Sequence, residues 1–254
     1  YCLGNTNDYI CYFTSDFEKE LQYKIPEATE EEIEGHKKEQ KAQQKTAARS
    51  NSVTPICIGD QLRTYRLAIA CTGEYAIAAT GTTTPTMAQA LSKIVTSVNR
   101  VDGVFEKEVA VRMVLVPTET NVIFLDASTD PFNGNNNANT LINESQTIIT
   151  NTIGSINFDI GHTFSTGGGG LAFLGVVCTS ASKARGITGS GNPVGDPYDI
   201  DYVAHEIGHQ FDANHSFNAI TGSCNGNRSA LSAMEPGSGV TIMGYAGLCN
   251  VNNL

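Results

Sequence analysis

Apolar residues follow two different periods in the part of the chain after residue 54. Alternating or continuous apolar runs predict strands, and apolar positions at helical spacing behind capping residues predict helices. The first helix has Thr84 as its N-cap and Pro85 as its first residue. The predicted strands span residues 62–72, 109–117, 122–125 and 171–178, and the predicted helices span residues 84–101 and 140–153. This order predicts an α/β (α+β) fold in which helices pack on a twisted mixed β-sheet.

The first 54 residues differ in composition from the rest of the chain. They carry ten acidic and seven basic side chains, and about two thirds of residues 26–50 are Glu, Lys, Gln or Ala. This composition predicts a solvated helix with little apolar surface of its own. Small polar residues at 48–55 indicate an exposed linker. We therefore expect a charged segment over residues 1–54 and one globular domain over residues 55–254.

Composition and charge argue against two kinds of partner. The net charge of −10 disfavours binding to a nucleic-acid backbone. The longest uncharged apolar stretch, residues 171–178, is far too short to cross a membrane. We expect neither nucleic acid nor a membrane as a partner.

The seven cysteines are widely spaced and none belongs to a CxxC pair, which argues against a thiolate zinc ribbon. Their spacing favours long-range disulfides and therefore a secreted, extracellular protein. The sequence leaves their pairing open, with Cys224 and Cys249 as one candidate pair.

The strongest chemical signal is the segment HEIGHQFDANH, residues 205–215. His205 and His209 are four residues apart, so one helical turn places both imidazoles on the same face. Glu206 lies beside the first of them, where its carboxylate reaches a metal-bound water rather than the metal. If the chain turns back after about Phe211, His215 completes a three-nitrogen site. Three protein ligands and a water form the catalytic arrangement of zinc.

Other residues near this motif have alternative interpretations. Asp212 shares a helix face with His205 and His209, so it competes with His215 for the role of third ligand. We expect His162 to be a hydrogen-bonded packing residue, with the cleft as its alternative position, and His36 to be solvated.

A second motif, Thr241 to Tyr245, is an apolar turn that carries Met243, 28 residues after His215. Together the two motifs resemble those of the metzincin zinc endopeptidases, whose zinc-binding helix is followed by a Met-turn. Within that clan the chain is most similar to the bacterial secreted members of the reprolysin (adamalysin)-like branch. The resemblance implies a zinc cleft above the Met-turn at Met243. Tyr245 follows the Met by two residues, as in the astacin and serralysin branches, and this resemblance implies a tyrosine near the metal. The alternative is a tyrosine that packs under the site.

Other segments support the same branch. Residues 170–178 resemble the strand at the upper rim of the reprolysin cleft, residues 157–162 the segment before it, and residues 63–67 the first strand. At the family's glycine position this chain has Asp212, one of the few other residues that tolerate a left-handed backbone. The first 54 residues resemble the end of a propeptide. The family also implies a helix after the Met-turn, so we expect a domain truncated at its C-terminal end.

These observations predict a zinc-dependent endopeptidase, made as a zymogen and acting as a monomer on protein or peptide substrates. Zinc bound by the three histidines activates water, Glu206 is the general base, and the metal, with Tyr245, stabilises the oxyanion. Extended substrates are expected to add a strand to the edge strand. The residues assigned to this edge are Gly170, Leu171, Ala172, Phe173 and Leu174.

Two hypotheses compete with this one. In the first, the chain is a latent or inactive zinc module that its own propeptide occludes, with Cys2, Cys11 or Cys57 donating a thiolate to the metal. In the second, a calcium ion stabilises an adhesion or carbohydrate-binding domain. The oxygen ligands for that calcium ion would come from Asp126, Asp130, Asn133, Asn135 and Asn136.

Overall fold

The structure is a computed structural model that describes residues 61–254. The predicted helix over residues 26–50, His36 and the cysteines at positions 2, 11 and 57 lie outside the described residues. The described chain divides into two compact units, residues 61–215 and residues 216–254.

The first unit is built on a mixed sheet, as the sequence predicts, and this sheet has five strands. Its strands are β1 (Arg63–Cys71), β2 (Val111–Leu115), β3 (Ile160–Ser165), β4 (Gly170–Ala172) and β5 (Gly186–Gly189). The order across the sheet is β2-β1-β3-β5-β4. The first three pairings are parallel, and β4 runs antiparallel to β5 at the edge. The fold is therefore the expected mixed sheet with packed helices.

Four helices and several shorter turns complete this unit. The helices are α1 (Gly73–Thr80), α2 (Met87–Val109), α3 (Ala138–Ile153) and α4 (His205–Gln210). The single turns before α4 are 3-10 turns at Glu119–Val122 and Ser155–Asn157, an α-helical turn at Asp196–Tyr198 and a π-helical turn at Asp199–Ala204.

The hydrophobic core lies between the sheet and its helices. Residues 67–71 of β1 are fully buried. One face of the sheet packs against α3, through Ala68 and Ala70 of β1 and Ile149 and Ile153 of the helix. α2 packs against β2 and against the π-helical turn that leads into α4.

The bounds of α2 differ from the prediction at both ends. The N-cap is Thr86 rather than Thr84, because Thr86 and Gln89 form a capping box. The helix continues past Val101 to Val109, since Phe105 extends its buried stripe. It ends where Ala110 adopts a left-handed conformation with φ of 52°.

Two expected strands are shorter than predicted or absent. The strand expected at 171–178 ends at Ala172, and positive φ angles at Gly175 (63°) and Cys178 (65°) exclude an extended chain beyond it. The strand expected at 122–125 is a 3-10 turn followed by a single bridge between Cys71 and Ile123. The backbone N–H of Ile69 donates to the Glu119 carboxylate at 2.8 Å, which ties this turn to β1.

The second unit is held together by a disulfide and a small apolar cluster. Cys224 and Cys249 form the disulfide that was one candidate pairing. Both are buried with Phe217 and Ala219, and Tyr245 packs against them.

No helix among residues 61–254 is both long and apolar enough to cross a membrane.

Candidate metal centre

The helix that carries the metal-binding motif is short and is reached through irregular backbone. The π-helical turn Asp199–Ala204 runs directly into α4. Its first residue, Asp199, is buried, and its carboxylate accepts a 2.5 Å hydrogen bond from the Ser97 hydroxyl of α2. This bond fixes the approach of the chain to α4. π-Helical turns of this kind are frequent at functional sites.

Three imidazoles converge at α4, as the sequence predicts. One ligand nitrogen each from His205, His209 and His215 lies within 4.8 Å of the other two. The Nε2 atoms of His209 and His215 are 3.1 Å apart. Two nitrogens of a tetrahedral zinc site are separated by about 3.3 Å, given Zn–N bonds of about 2.0–2.1 Å. The donor set and its spacing therefore fit one zinc ion.

Hydrogen bonding sets the tautomer of the central ligand. His209 Nδ1 lies 2.7 Å from the Ala213 carbonyl oxygen, which can only accept, so Nδ1 carries the proton. Nε2 then presents its lone pair towards His215. Burial, reinforced by the imidazoles of His205 and His215, lowers the pKa of His209 well below its usual range. His209 is therefore neutral at physiological pH, which is the state that metal binding requires.

The chain turns back immediately after α4. Asp212 adopts a left-handed backbone with φ of 77°, the conformation that the family's glycine would supply. The N–H of Ala213 then donates to the Gly208 carbonyl at 2.9 Å. This reversal brings His215 to the other two imidazoles. Asp212 has left the helix and is not a member of the cluster, so the structure favours His215 as the third ligand.

Substitution of Asp212 tests the strain at this turn. Asp212→Gly is expected to raise the free energy of unfolding by up to about 1 kcal/mol, because relief of the left-handed strain exceeds the entropy cost of glycine. Asp212→Val is expected to lower it by more than about 1 kcal/mol, since a β-branched residue tolerates positive φ poorly. Urea unfolding of both variants measures the effect. A loss of stability in Asp212→Gly would show instead that the aspartate side chain holds the turn.

Glu206 lies against the edge strand of the sheet. It is 8% exposed, on the turn between the two helical histidines. A Cβ atom added to Gly170 of β4 would lie 2.0 Å from Glu206 Oε1 and 2.6 Å from Cδ. The carboxylate therefore occupies the space that the glycine leaves open. This places Glu206 beside both the histidines and the edge of the sheet.

The pairing of β4 with β5 determines which backbone N–H and C=O groups of the edge strand point away from the sheet. Gly189 N–H donates to the Gly169 carbonyl at 2.9 Å, and Phe173 N–H donates to the Arg185 carbonyl at 3.0 Å. Because alternate residues face the partner in an antiparallel pair, the N–H and C=O groups of Gly170 and Ala172 point away from β5.

Not all of the residues assigned to the substrate edge lie on it. Leu171 is paired with Ile187, so its backbone N–H and C=O groups face β5. The Phe173 side chain is buried in the core, with the Arg185 guanidinium 4.7 Å above its ring. Phe173 and Leu174 both follow the end of the strand. The predicted edge strand was therefore too long, because the positive φ angle at Gly175 ends the extended segment.

Met243 and Tyr245 belong to the second unit. The Met243 carbonyl accepts from the Ser216 N–H at 3.1 Å. The ring of Tyr245 stacks on Phe217 with 4.5 Å between centroids. The roles assigned to Met243 and Tyr245 at the metal stay predictions.

The loop proposed for calcium uses its polar groups in hydrogen bonds. Asp126 accepts from Ser128, Asp130 accepts from the backbone N–H of Gly73, and Asn135 accepts from Thr72. Among residues 61–254, the three histidines are the one cluster of His, Cys, Asp and Glu with metal-binding geometry. The calcium prediction therefore finds no support.

His162 is a packing residue, as predicted. It is fully buried, and burial lowers its pKa to about 4. Its Nδ1 and Nε2 atoms are each 2.8 Å from a partner, Gln210 Oε1 and Thr188 Oγ1 respectively. The link from His162 to α4 was not foreseen, since Gln210 is 48 residues away in the sequence.

Comparison with known proteins agrees with the geometry of the site. A family model described as "Metallo-peptidase family M12B Reprolysin-like" matches residues 61–254. A solved structure titled "Crystal structure of myroilysin" is similar with a TM-score of 0.33 and 11% identity, over 68% of this chain and 51% of that one. The chain thus spans about half the length of that protein. No curated protein matches the chain. The match to the family model covers most of the sequence, and the chain belongs to the reprolysin-like M12B family of zinc-dependent metallopeptidases.

Proposed function

We propose that the chain is a zinc endopeptidase that hydrolyses internal peptide bonds in extended segments of protein substrates. One observation carries the proposal: Glu206, which follows the first histidine of the cluster directly in α4, packs against Gly170 of the edge strand β4. A metal site, a carboxylate and a peptide-binding edge are the three parts that the reaction needs.

The histidines would hold the metal. His205 and His209 present their imidazoles from one helical turn, and His215 approaches after the chain reverses. Three neutral nitrogen ligands leave a fourth coordination position open. When bound, zinc supplies a Lewis acid that polarises the scissile carbonyl and acidifies water.

Glu206 would transfer the proton. Its carboxylate accepts a proton from the attacking water and delivers it to the leaving amine, so one group serves as base and then as acid. Its position against Gly170 limits the directions in which the side chain can move. The fold thereby holds the carboxylate next to the substrate edge.

The substrate would bind as an additional strand. The outward N–H and C=O groups of Gly170 and Ala172 are available for main-chain hydrogen bonds. Main-chain pairing demands an extended substrate but not a particular sequence. This supports cleavage within unfolded or extended segments of proteins.

We also propose that the protein is secreted and is made as a zymogen. The Cys224–Cys249 disulfide supports an oxidising compartment. Residues 1–54 would form the propeptide and residues 55–254 the catalytic domain. The competing hypothesis is a zinc module that stays inactive. Removal of residues 1–54 should raise the activity of a zymogen, whereas an inactive module would show no activity in either form.

The test compares the full chain with a form that begins at residue 55, both loaded with zinc, on reduced and alkylated casein. We expect internal fragments by mass spectrometry, inhibition by a chelator and a higher rate for the shorter form. Release of single terminal residues would show an exopeptidase instead. Zinc binding without cleavage by either form would support the inactive module.

A further inference from the structure

The pairing of β3 and β5 leaves a gap that a side chain of the metal-binding helix fills. The ladder between these strands begins at Thr163 and Ile187. Two residues before Thr163, the Gly161 carbonyl accepts a 2.8 Å hydrogen bond from the side-chain Nε2 of Gln210. Gln210 is the last residue of α4 and follows His209 directly. The helix is therefore joined to the centre of the sheet by a side chain.

A buried histidine fixes the other end of this amide. Because Gln210 Nε2 donates to Gly161, Oε1 is the atom that faces His162 Nδ1, at 2.8 Å. Nδ1 therefore carries the proton, and Nε2 accepts from the Thr188 hydroxyl at 2.8 Å. Gln210, His162 and Thr188 are all fully buried. Each polar atom of the Gln210 amide and the imidazole has a partner, which allows one arrangement only.

The backbone is shaped to admit this network. A Cβ atom at Gly186 of β5 would lie 2.4 Å from Gln210 Oε1 and 2.6 Å from His162 Nδ1. Glycine at this position therefore leaves room for the amide and the imidazole to meet.

Backbone hydrogen bonds also hold the end of α4. Its last carbonyls, those of His209 and Gln210, accept from the backbone N–H groups of Gly175 and Val176 at 3.0 Å. Those donors belong to a loop, whereas Gly161 and His162 belong to the third strand of the sheet. The hydrogen bonds of Gln210 therefore connect α4 directly to β3 of the sheet.

We propose that Gln210 and His162 are positioning residues that hold α4 at the height where His205 and His209 meet His215. This inference rests on the proposed zinc site but not on peptidase activity. A displacement of α4 would separate the helical imidazoles from His215, which lies beyond the turn and is not carried by the helix. The network would therefore set metal affinity and turnover as well as stability.

The test measures zinc affinity, kcat and KM in variants of the full chain. His162→Phe removes both hydrogen bonds of the imidazole, and Gln210→Met removes both bonds of the amide at similar size. We expect zinc affinity to fall about tenfold or more in a competition assay with a chelator. We expect kcat to fall by about 10- to 100-fold at unchanged KM, because small misplacements of catalytic groups slow turnover.

A matched control lies next to His162 on the same strand. Thr163 is also fully buried, but its hydroxyl donates to Ser145 of α3 at 2.7 Å, on the opposite face of the sheet. Thr163→Val removes that bond. It should lower the urea midpoint as the network variants do, yet leave zinc affinity and kcat at their original values.

A conservative variant separates positioning from packing. His162→Asn retains a side-chain N–H close to the position of Nδ1, so it should restore most of the zinc affinity that His162→Phe loses. If His162→Phe does not fold, Gln210→Met provides the same comparison. Zinc affinity in Gln210→Met equal to that of Thr163→Val would overturn the proposal. Since affinity is measured without substrate, a wild-type chain that binds zinc but cleaves nothing would refute the proposed function alone.

Discussion

Glu206→Gln is expected to leave zinc bound and to lower kcat by about 10⁴-fold, since one carboxylate acts as both base and acid. Glutamine has the shape of glutamate, so it fills the space beside Gly170 without new contacts. It cannot accept the proton of the attacking water. The three imidazoles are unchanged, and zinc affinity should therefore stay within about twofold of the original. Steady-state kinetics on a peptide substrate, with metal content measured in parallel, checks the prediction.

Two controls define what this loss of activity means. Glu108→Gln makes the same change in charge at an exposed position of α2 and should have no effect on kcat or zinc. His215→Ala should remove zinc and activity together, because it deletes one of the three proposed ligands. Full activity in Glu206→Gln with zinc bound would show that another group transfers the proton.

The three-histidine cluster was predictable because its determinants are local. The spacing of His205 and His209 defines a helical face, and the spacing to His215 requires a reversal. Asp212 adopts the left-handed conformation that this reversal needs. All three features lie within eleven residues of sequence, so no knowledge of the sheet was required.

The sequence predicts a mixed sheet, but it does not predict all of the strands or their order. β3, with the sequence IGHTFS, is buried on both faces and shows no alternation. β5 has four residues, two of which are glycine. β3 and β5 were not predicted from the sequence, because they lack the signals on which strand prediction depends. The order of strands depends on pairing between distant segments, which hydrophobic periodicity does not encode.

The side-chain hydrogen bonds at Gln210 also join segments that are distant in the sequence, so the sequence pattern does not predict them. The sequence identified His162 as a hydrogen-bonded packing residue, and the structure confirms it. Its partners lie 26 and 48 residues away, on β5 and α4. The parallel pairing of β3 and β5 brings His162 close to Thr188, and α4 adds Gln210 from a third segment. A buried histidine can thus be recognised from sequence before its function can be inferred.

Gly170→Ala is expected to reduce kcat by about 100-fold while leaving the fold intact. The added Cβ would lie 2.0 Å from Glu206 Oε1, so one of the two must move. The group in the way is the end of a flexible side chain, which can rotate at little cost in stability. The same rotation displaces the proposed general base, and misplacement of a catalytic group by about 1 Å costs about 10²-fold in rate. Steady-state kinetics and urea unfolding on the same protein measure the two effects.

Gly191→Ala is the matched control, because a Cβ at that position meets no atom within 4 Å. It should leave kcat, zinc affinity and the urea midpoint unchanged. Zinc affinity should also be unchanged in Gly170→Ala, since β4 contributes none of the three histidines. A fall in activity without a fall in zinc content or stability would place the defect in Glu206. Wild-type kcat in Gly170→Ala would show that the carboxylate does not act from its position beside the edge strand.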